Sequence, residues 1–255
     1  MTGNPKNLAN GVAVVTGAGS GLGRALAVEL ARSGMKVVGF GRRKEALDHT
    51  AKIIGPQFTP MVVDVAIPDQ INAAFTKIAK IGPVTILINN AAVFPRRDCL
   101  KETAKSFMHT ININLGGTFA CTRAALQTMT EDGFGRIVNI SSFADIAPMP
   151  AASAYSVSKG AGRILTRALV ADLGDRFPDI VISTWMPGML ATQMGVANGL
   201  APEMAAKWGA KLALWHDRTL NNAVFEMNVE ILPPRSLKRR IKDKILGKTP
   251  VSRVL

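Results

Sequence analysis

The residues best suited to chemistry in this sequence are a tyrosine and a lysine spaced four residues apart, Tyr155 and Lys159. On a helix this spacing places both side chains on one face. A free phenol has a pKa of about 10, and a neighbouring ammonium group lowers that pKa by favouring the phenolate. Ser142 follows an apolar run and could hydrogen-bond the same substrate oxygen. The pattern predicts proton transfer to or from a substrate oxygen, although the Tyr–Lys spacing alone also occurs on helices without a catalytic role.

A glycine-rich turn follows the first apolar run of the chain, residues 12–16. Its glycines, Gly17, Gly21 and Gly23, have the spacing G-x-x-x-G-x-G rather than G-x-G-x-x-G. Glycines in such a turn let the backbone approach a pyrophosphate, and the N-terminus of the following helix attracts the phosphates. No Lys-Ser or Lys-Thr pair follows, which excludes a P-loop. The turn predicts a dinucleotide site, with a purely structural turn as the alternative.

Two arginines, Arg42 and Arg43, follow the second apolar run. A site that prefers NAD(H) places an acid near this point to bind the ribose 2′-hydroxyl, but the first acid here is Glu45. A guanidinium group pairs well with a 2′-phosphate. The sequence therefore predicts NADP(H) in preference to NAD(H), unless the arginines form an ordinary solvated pair at a helix start.

The chemistry-bearing residues fall at the ends of alternating strand-like and helix-like segments. The apolar runs are continuous, as expected for strands buried on both faces of a parallel sheet. Predicted strands cover residues 12–16, 36–40, 61–65, 84–88, 136–140 and 180–184. Predicted helices cover 22–32, 68–80, 101–129, which Gly116-Gly117 interrupts, and 154–176. This order predicts an α/β fold with one doubly wound, Rossmann-type sheet. Asp64 and Asn90 would then end the third and fourth strands, where Asp64 could accept a hydrogen bond from adenine.

Composition sets limits on the class of protein. Hydrophobic residues make up 47% of the 255 residues, which is enough for a full core. Two cysteines fit neither a metal site nor a disulfide framework, and no apolar run approaches the ~18 residues of a spanning helix. We expect a cytoplasmic protein. We expect no nucleic-acid partner, because no zinc-ligand spacing or aromatic-basic motif accompanies the positive charge.

Much of the net charge of +13 lies at the C-terminal end. Residues 235–255 contain eight basic residues and one acid, a local charge of +7. Leu237, Ile241 and Ile245 repeat every four residues among these cations, which indicates an amphipathic helix. It could pack on the protein's own surface or on a sister subunit, or it could contact a membrane surface or an acidic partner. We therefore predict a domain over residues 1–234 and a basic tail over residues 235–255.

The motifs taken together occur in one order at the ends of the expected elements, and over residues 11–194 the chain closely resembles the short-chain dehydrogenase/reductase (SDR) family. The resemblance implies an oxidoreductase with about seven parallel strands that assembles as a homodimer or homotetramer. It also implies that Tyr155 is the general acid/base, that Ser142 binds the substrate oxygen, that Lys159 binds the nicotinamide ribose and lowers the Tyr155 pKa, and that Asn114 holds a water of the proton relay. The catalytic set is Asn114, Ser142, Tyr155 and Lys159.

The same resemblance extends the predicted cofactor site along the chain, with residues after the sixth strand surrounding the carboxamide. The predicted cofactor contacts are Gly17, Ser20, Gly21, Leu22, Gly23, Arg42, Arg43, Asp64, Val65, Asn90, Ala91, Tyr155, Lys159, Pro187, Gly188, Met189 and Thr192. The chain departs from the family at two places. Ala92 stands where glycine is frequent, and the residues that follow the expected last strand, 222–228, differ from the usual ending of the family. No metal is predicted.

The loops that would surround the substrate are rich in bulky apolar side chains, several of them flexible methionines. They include Val93, Phe94, Phe143, Met149, Met189, Leu190, Met194, Trp208 and Trp215. We expect a small apolar alcohol or carbonyl compound, while Arg96, Arg97 and Arg163 leave an acidic substrate open. The alternative is a non-catalytic NADP(H)-binding sensor or scaffold on the same fold, against which the intact Ser142, Tyr155 and Lys159 set argues.

Overall fold

A computed structural model describes residues 7–233 and 251–255. One sheet runs through the described residues in the order β3-β2-β1-β4-β5-β6-β7-β8. The first seven strands are parallel, and β8 is antiparallel to β7. The strands are β1 Val12–Thr16, β2 Lys36–Gly41, β3 Phe58–Val62, β4 Val84–Asn89, β5 Gly135–Ile140, β6 Ile180–Met186, β7 Val224–Glu226 and β8 Val229–Ile231. The prediction of a doubly wound sheet of about seven strands is confirmed, with the antiparallel β8 as an addition.

Helices cover both faces of this sheet. They are α1 Gly21–Arg32, α2 Lys44–Ile54, α3 Pro68–Ile78, α4 Ala104–Ile111, α5 Gly117–Asp132, α6 Ser153–Leu173 and α7 Pro202–Leu214, with a π-helical turn at Asn112–Gly116 between α4 and α5. One core lies between the sheet and α1, α2 and α7. A second core lies between the sheet and α3, α5 and α6.

Strand β1 shows why the central runs are continuously apolar. Ala13 and Val15 point into the first core, and Val12 and Val14 point into the second. Successive strand residues face opposite sides of a sheet, so a strand covered on both sides needs apolar residues at every position. Parallel strands also end at the same edge, which brings the loops after β1, β4, β5 and β6 together.

The third strand lies earlier than predicted. It spans Phe58–Val62 rather than residues 61–65, and it pairs with β2 at the edge of the sheet. Pro60 obscured this strand, because a proline is tolerated only where its missing N–H is not needed, as on an edge strand. Asp64 and Val65 therefore lie in the turn after β3 and do not end the strand.

The helices differ from the prediction at three places. Sequence reasoning did not assign α2 or α7, although α2 is followed by Gly55 at φ 83° and α7 begins with Pro202 at its first turn. The helix predicted over residues 101–129 begins only at Ala104, and the interruption predicted at Gly116-Gly117 is a π-helical turn over Asn112–Gly116. At α2 and α7 the residues that end or begin the helix indicated a helix, whereas the apolar pattern did not.

The last five residues return to the sheet. Val254 forms an antiparallel bridge with Val229 of β8. The amphipathic repeat predicted at Leu237, Ile241 and Ile245 lies outside the described residues, so the proposed tail helix stays a prediction. Among residues 7–233 and 251–255, no helix has the length and apolar character needed to cross a membrane.

Candidate functional site

Thr16 joins the glycine turn to the loop after β4. Its hydroxyl oxygen accepts hydrogen bonds from the backbone N–H groups of Asn90 and Ala91, both at 2.9 Å. The Asn90 side-chain amide donates to the Thr16 carbonyl, also at 2.9 Å. The predicted cofactor residues Asn90 and Ala91 are thus held against the turn that contains Gly17, Gly21 and Gly23.

The glycine turn is shaped for close backbone approach. Gly17 and Gly21 have φ values of 72° and 52°, a region that favours glycine. A Cβ atom on Gly23 would lie 2.2 Å from the carbonyl oxygen of Gly17, so no larger residue fits. Ser20 precedes α1 without a side-chain cap, which leaves the N–H groups of the first turn, including that of Leu22, available to an anion. This cradle fits the pyrophosphate of a dinucleotide.

Helix α2 supports the same turn from the side. The Arg24 guanidinium donates to the Thr50 hydroxyl at 3.1 Å and to the carbonyl oxygen of Gly19. Thr50 in turn donates to the Ala18 carbonyl at 3.0 Å. Neither Arg24 nor Thr50 was identified from the sequence, because the contact joins positions 26 residues apart on different helices.

Arg42 and Arg43 stand between β2 and α2, and both are exposed. The side chain of neither arginine forms a hydrogen bond or an ion pair with any other described residue, although the Arg43 carbonyl accepts from the Leu47 N–H at 3.3 Å. Two unpaired guanidinium groups beside the glycine turn are available to an anionic ligand.

Asp64 has a different setting, because its carboxylate accepts a hydrogen bond from the Ala66 N–H at 3.0 Å and closes the turn after β3. Val65 is buried, and a Cβ atom on Gly117 would lie 2.8 Å from its side chain.

Tyr155 and Lys159 lie on α6, near the carboxyl end of β5. Lys159 is buried, and its ammonium group donates to the Ile140 carbonyl at 2.8 Å and lies 5.7 Å from the centre of the Tyr155 ring. Ser142 follows β5 and accepts a hydrogen bond from the Ala144 N–H at 3.2 Å, and its hydroxyl lies close enough to that of Tyr155 to lower the Tyr155 pKa. The three side chains predicted to act together are close in space.

Burial shifts the pKa values of Tyr155 and Lys159. It raises the pKa of Tyr155 above its usual 10, and the hydrogen bond with Ser142 offsets this only in part. Burial also lowers the pKa of Lys159 to about 8. The net shift of the Tyr155 pKa is therefore upward, because the loss of hydration outweighs the groups that favour the phenolate. The expected lowering by Lys159, whose ammonium group is directed at Ile140, stays a prediction.

Asn114 lies in the π-helical turn, and its side chain connects three segments. Its oxygen accepts from the Val93 N–H at 2.8 Å, and its amide donates to the Val93 carbonyl and to the Ser158 hydroxyl, both at 3.0 Å. Ser158 donates in turn to the Tyr155 carbonyl at 2.7 Å. Asn114 thereby fixes the loop after β4 against the helix that carries Tyr155. Its role in holding a water stays a prediction.

An aromatic ring covers Tyr155. The Phe94 ring lies 4.4 Å from the Tyr155 ring, centre to centre, with the planes tilted by 32°. The guanidinium carbon of Arg96 lies 5.6 Å from the centre of the Phe94 ring. Among the other basic residues of this region, Arg163 pairs with Asp145 at 2.8 Å and Arg97 lies 3.5 Å from Glu102. Phe94 thus packs directly against the ring of the predicted reacting group.

The loop after β6 closes the other side of the site. Pro187 is buried, Gly188 has a φ of 87°, and the Met189 side chain is 72% exposed. A Cβ atom on Gly21 would lie 3.2 Å from Thr192, so this loop reaches the start of α1. The predicted cofactor residues of the loop after β6 and those of the glycine turn thus flank one groove.

The apolar residues predicted to surround the substrate divide into two groups. Met149, Met189 and Met194 are exposed and remain candidates for the substrate wall. Leu190, Trp208 and Trp215 instead pack into or against the first core. For these three residues the packing favours the alternative, a place in or against the core, and their assignment to the pocket stays a prediction.

Known proteins are similar to this chain in sequence and in architecture. A family description for short chain dehydrogenases matches residues 11–202. Galactitol 2-dehydrogenase (L-tagatose-forming) from Cereibacter sphaeroides is 34% identical over 199 residues, covering 77% of this chain and 78% of that protein. Carbonyl reductase [NADPH] 2 from Sus scrofa is 34% identical over 196 residues, covering 76% and 78%. A solved structure described as a gluconate dehydrogenase from Agrobacterium tumefaciens has a TM-score of 0.79 at 26% identity, covering 86% of this chain and 95% of that one.

Proposed function

Because this chain belongs to the short-chain dehydrogenase/reductase family and is an oxidoreductase, we propose that it interconverts an alcohol and a ketone or aldehyde, prefers NADP(H) and uses Tyr155 as general acid/base. The observation that carries the proposal is the grouping of Ser142, Tyr155 and Lys159 at the end of β5, across the groove from the glycine turn. The match over residues 11–202 spans both halves of that groove.

The bound nicotinamide supplies the hydride in reduction or accepts it in oxidation. The chain's own part is to hold the substrate oxygen and to move a proton. The hydroxyls of Ser142 and Tyr155 lie close enough for Ser142 to lower the Tyr155 pKa, and we expect both to bind one carbonyl oxygen. Because burial raises its pKa, Tyr155 is protonated at neutral pH and can give its proton to the developing alkoxide. The ammonium group of Lys159 and the Ser142 hydrogen bond then stabilise the phenolate.

The preference for NADP(H) rests on Arg42 and Arg43. Their side chains are exposed and have no acid partner among the described residues, so the charge of both is available to a 2′-phosphate. Similarity supports the same choice, because the name of the pig relative includes NADPH.

The substrate is proposed to be a small apolar carbonyl compound or alcohol. Phe94 lies against Tyr155, and the methionines Met149, Met189 and Met194 are exposed on the loops after β5 and β6. Flexible methionines and an aromatic ring suit an apolar substrate body.

The assembly is proposed to be a homodimer through α4, α5 and α6. Their outer face carries a groove of about 510 Å³ lined mainly by apolar side chains, and Met108, Phe119 and Ile164 are 57%, 46% and 59% exposed there. An apolar face of this kind favours burial against a second copy. Sedimentation equilibrium of an Ile164→Lys variant should show a shift toward monomer. An unchanged mass would place the contact elsewhere.

The direct test of the function is a fluorescence titration of the full chain with NADPH and, separately, with NADH, followed by assays on a panel of apolar ketones at the nicotinamide absorbance. We expect tighter binding of NADPH and turnover of at least one ketone. Equal binding would reject the cofactor preference, and binding of neither would reject the proposed function.

A further inference from the structure

The chain end, residues 251–255, adds a short antiparallel segment to the edge of the sheet. The Glu230 N–H donates to the Arg253 carbonyl at 2.9 Å, and the Leu255 N–H donates to the Asn228 carbonyl at 2.8 Å. The Leu255 side chain is 9% exposed and belongs to the first core. This segment is therefore part of the folded domain.

Arg253 fastens the segment to three other parts of the fold. Its guanidinium donates to both carboxylate oxygens of Glu230, at 2.7 and 2.5 Å. It also donates to the hydroxyl and the carbonyl of Thr219, at 2.8 and 3.1 Å. Its central carbon lies 5.6 Å from the ring of Trp215, at the end of α7. A bidentate pair in which Glu230 is buried holds its geometry better than an exposed ion pair.

The β7–β8 turn carries this constraint to the predicted cofactor groove. Met227 lies in the turn, next to the Asn228 that accepts from Leu255. The Met227 N–H donates to the Met186 carbonyl at 2.8 Å, and the Met227 carbonyl accepts from the Trp185 indole at 2.8 Å. A Cβ atom on Gly188 would lie 3.2 Å from the Met227 side chain. The turn therefore packs directly on the start of the loop after β6.

We propose that residues 251–255 form a C-terminal latch, fastened by Arg253 and Glu230, which positions the loop of residues 187–200 through Met227. Arg253 and Glu230 are positioning residues, since neither touches the groove. The proposal rests on the proposed function only in assigning the nicotinamide end of the cofactor to that loop. A loosened latch frees the β7–β8 turn, and the loop then loses the packing that fixes Gly188.

Hydrogen exchange of the full chain tests the latch without any ligand. The informative amides are those of Met227, Ala191 and Leu200, which donate to Met186, Leu200 and Met189. In Arg253→Ala we expect exchange at all three to accelerate by about tenfold or more, with β1 unchanged. Glu230→Gln keeps the shape of the pair and should give a smaller change of the same pattern, which covers the case in which Arg253→Ala does not fold.

Arg218→Gln is the matched control. It removes another bidentate pair, Arg218 with Asp179, from the same region, but this pair is exposed and does not contact the β7–β8 turn. We expect its exchange at Ala191 and Leu200 to match the wild type. Acceleration confined to residues 228–231 in the latch variants, or an equal effect of Arg218→Gln, would overturn the proposal.

A separate NADPH titration distinguishes the latch from the function. If wild type binds NADPH, Arg253→Ala should raise its Kd by about tenfold and Arg253→Lys should restore part of the affinity. An unchanged Kd would overturn the coupling to the groove. If wild type does not bind NADPH, the proposed function fails, while the exchange pattern still decides whether the latch holds the loop.

Discussion

The two ends of the predicted cofactor groove differ in how the chain holds its functional side chains. At the glycine turn the backbone is fixed by Thr16 and Asn90, but the cations Arg42 and Arg43 are exposed and unpaired among the described residues. At the end of β5, the cation Lys159 is buried and already donates to a backbone carbonyl.

The charged side chains at the two ends therefore have different roles, because they differ in solvent exposure. The exposed arginines keep their full hydration, so their charge acts only when an anion arrives. The buried Lys159 has lost hydration, and its pKa falls to about 8 while that of Tyr155 rises. Substitutions at the first end should change ligand choice, and substitutions at the second should change turnover.

The largest expected effect is that of Tyr155→Phe. Removing the proton donor should reduce ketone turnover by about 10²- to 10⁴-fold, the range for loss of a general acid. NADPH affinity should change little, because the ring remains packed against Phe94. Steady-state assays paired with NADPH fluorescence titration separate the two effects.

Ser156→Ala is the control for Tyr155→Phe. It removes a hydroxyl from the next residue of α6, and that buried hydroxyl has no hydrogen-bond partner within the described chain. Its turnover should stay near wild type. Comparable activity of Tyr155→Phe and Ser156→Ala would remove Tyr155 from the mechanism.

A smaller and more selective effect is expected at the other end of the groove. Replacing Arg42 and Arg43 with alanine should raise the KM for NADPH by at least about 10- to 100-fold, since the loss of a single hydrogen bond to a charged group already costs roughly 1.5–3 kcal/mol. The KM for NADH should stay within about twofold, because NADH lacks the 2′-phosphate. The melting temperature should hardly move, since both side chains are exposed.

Lys52→Ala, an exposed cation further along α2, controls for the loss of surface charge. It should leave both KM values unchanged. Equal increases for NADPH and NADH in the double-arginine variant would reject the arginines as the source of cofactor choice.

The sequence predicted the parts of this fold whose residue pattern is local. The runs of β1 and β4 are mostly apolar because both faces are covered. Ser142, Tyr155 and Lys159 lie close together because β5 and α6 bring them to the same edge of the sheet. Strand β3 was misplaced because an edge strand tolerates Pro60. The latch was not predictable, since Arg253 meets Glu230 only through tertiary packing.

The direction of the net shift in the Tyr155 pKa could not be predicted from the sequence, for a related physical reason. The Tyr–Lys spacing reports a cation nearby, but burial by a distant residue is not visible in that spacing. Phe94 precedes Tyr155 by 61 residues and still covers its ring. Spacing within a helix thus predicted that Tyr155 and Lys159 lie close together, whereas burial by other parts of the chain raised the Tyr155 pKa.

The subtlest expected effect concerns this cover. Phe94→Ala admits water to Tyr155 and should bring its pKa back toward the usual value, whereas Phe94→Leu keeps an apolar cover. Reduction needs protonated Tyr155, so its kcat/KM falls as pH rises through that pKa. The fall should begin at lower pH in Phe94→Ala than in wild type, with Phe94→Leu between them. The other groups that face Tyr155, Lys159 and Ser142, and Arg96 beside Phe94, are unchanged in both variants. Superimposable pH profiles of kcat/KM would show that Phe94 does not set the Tyr155 pKa. The burial of Tyr155, by which this end of the groove differs from the exposed arginines, would then have to come from α6 and the loop after β5.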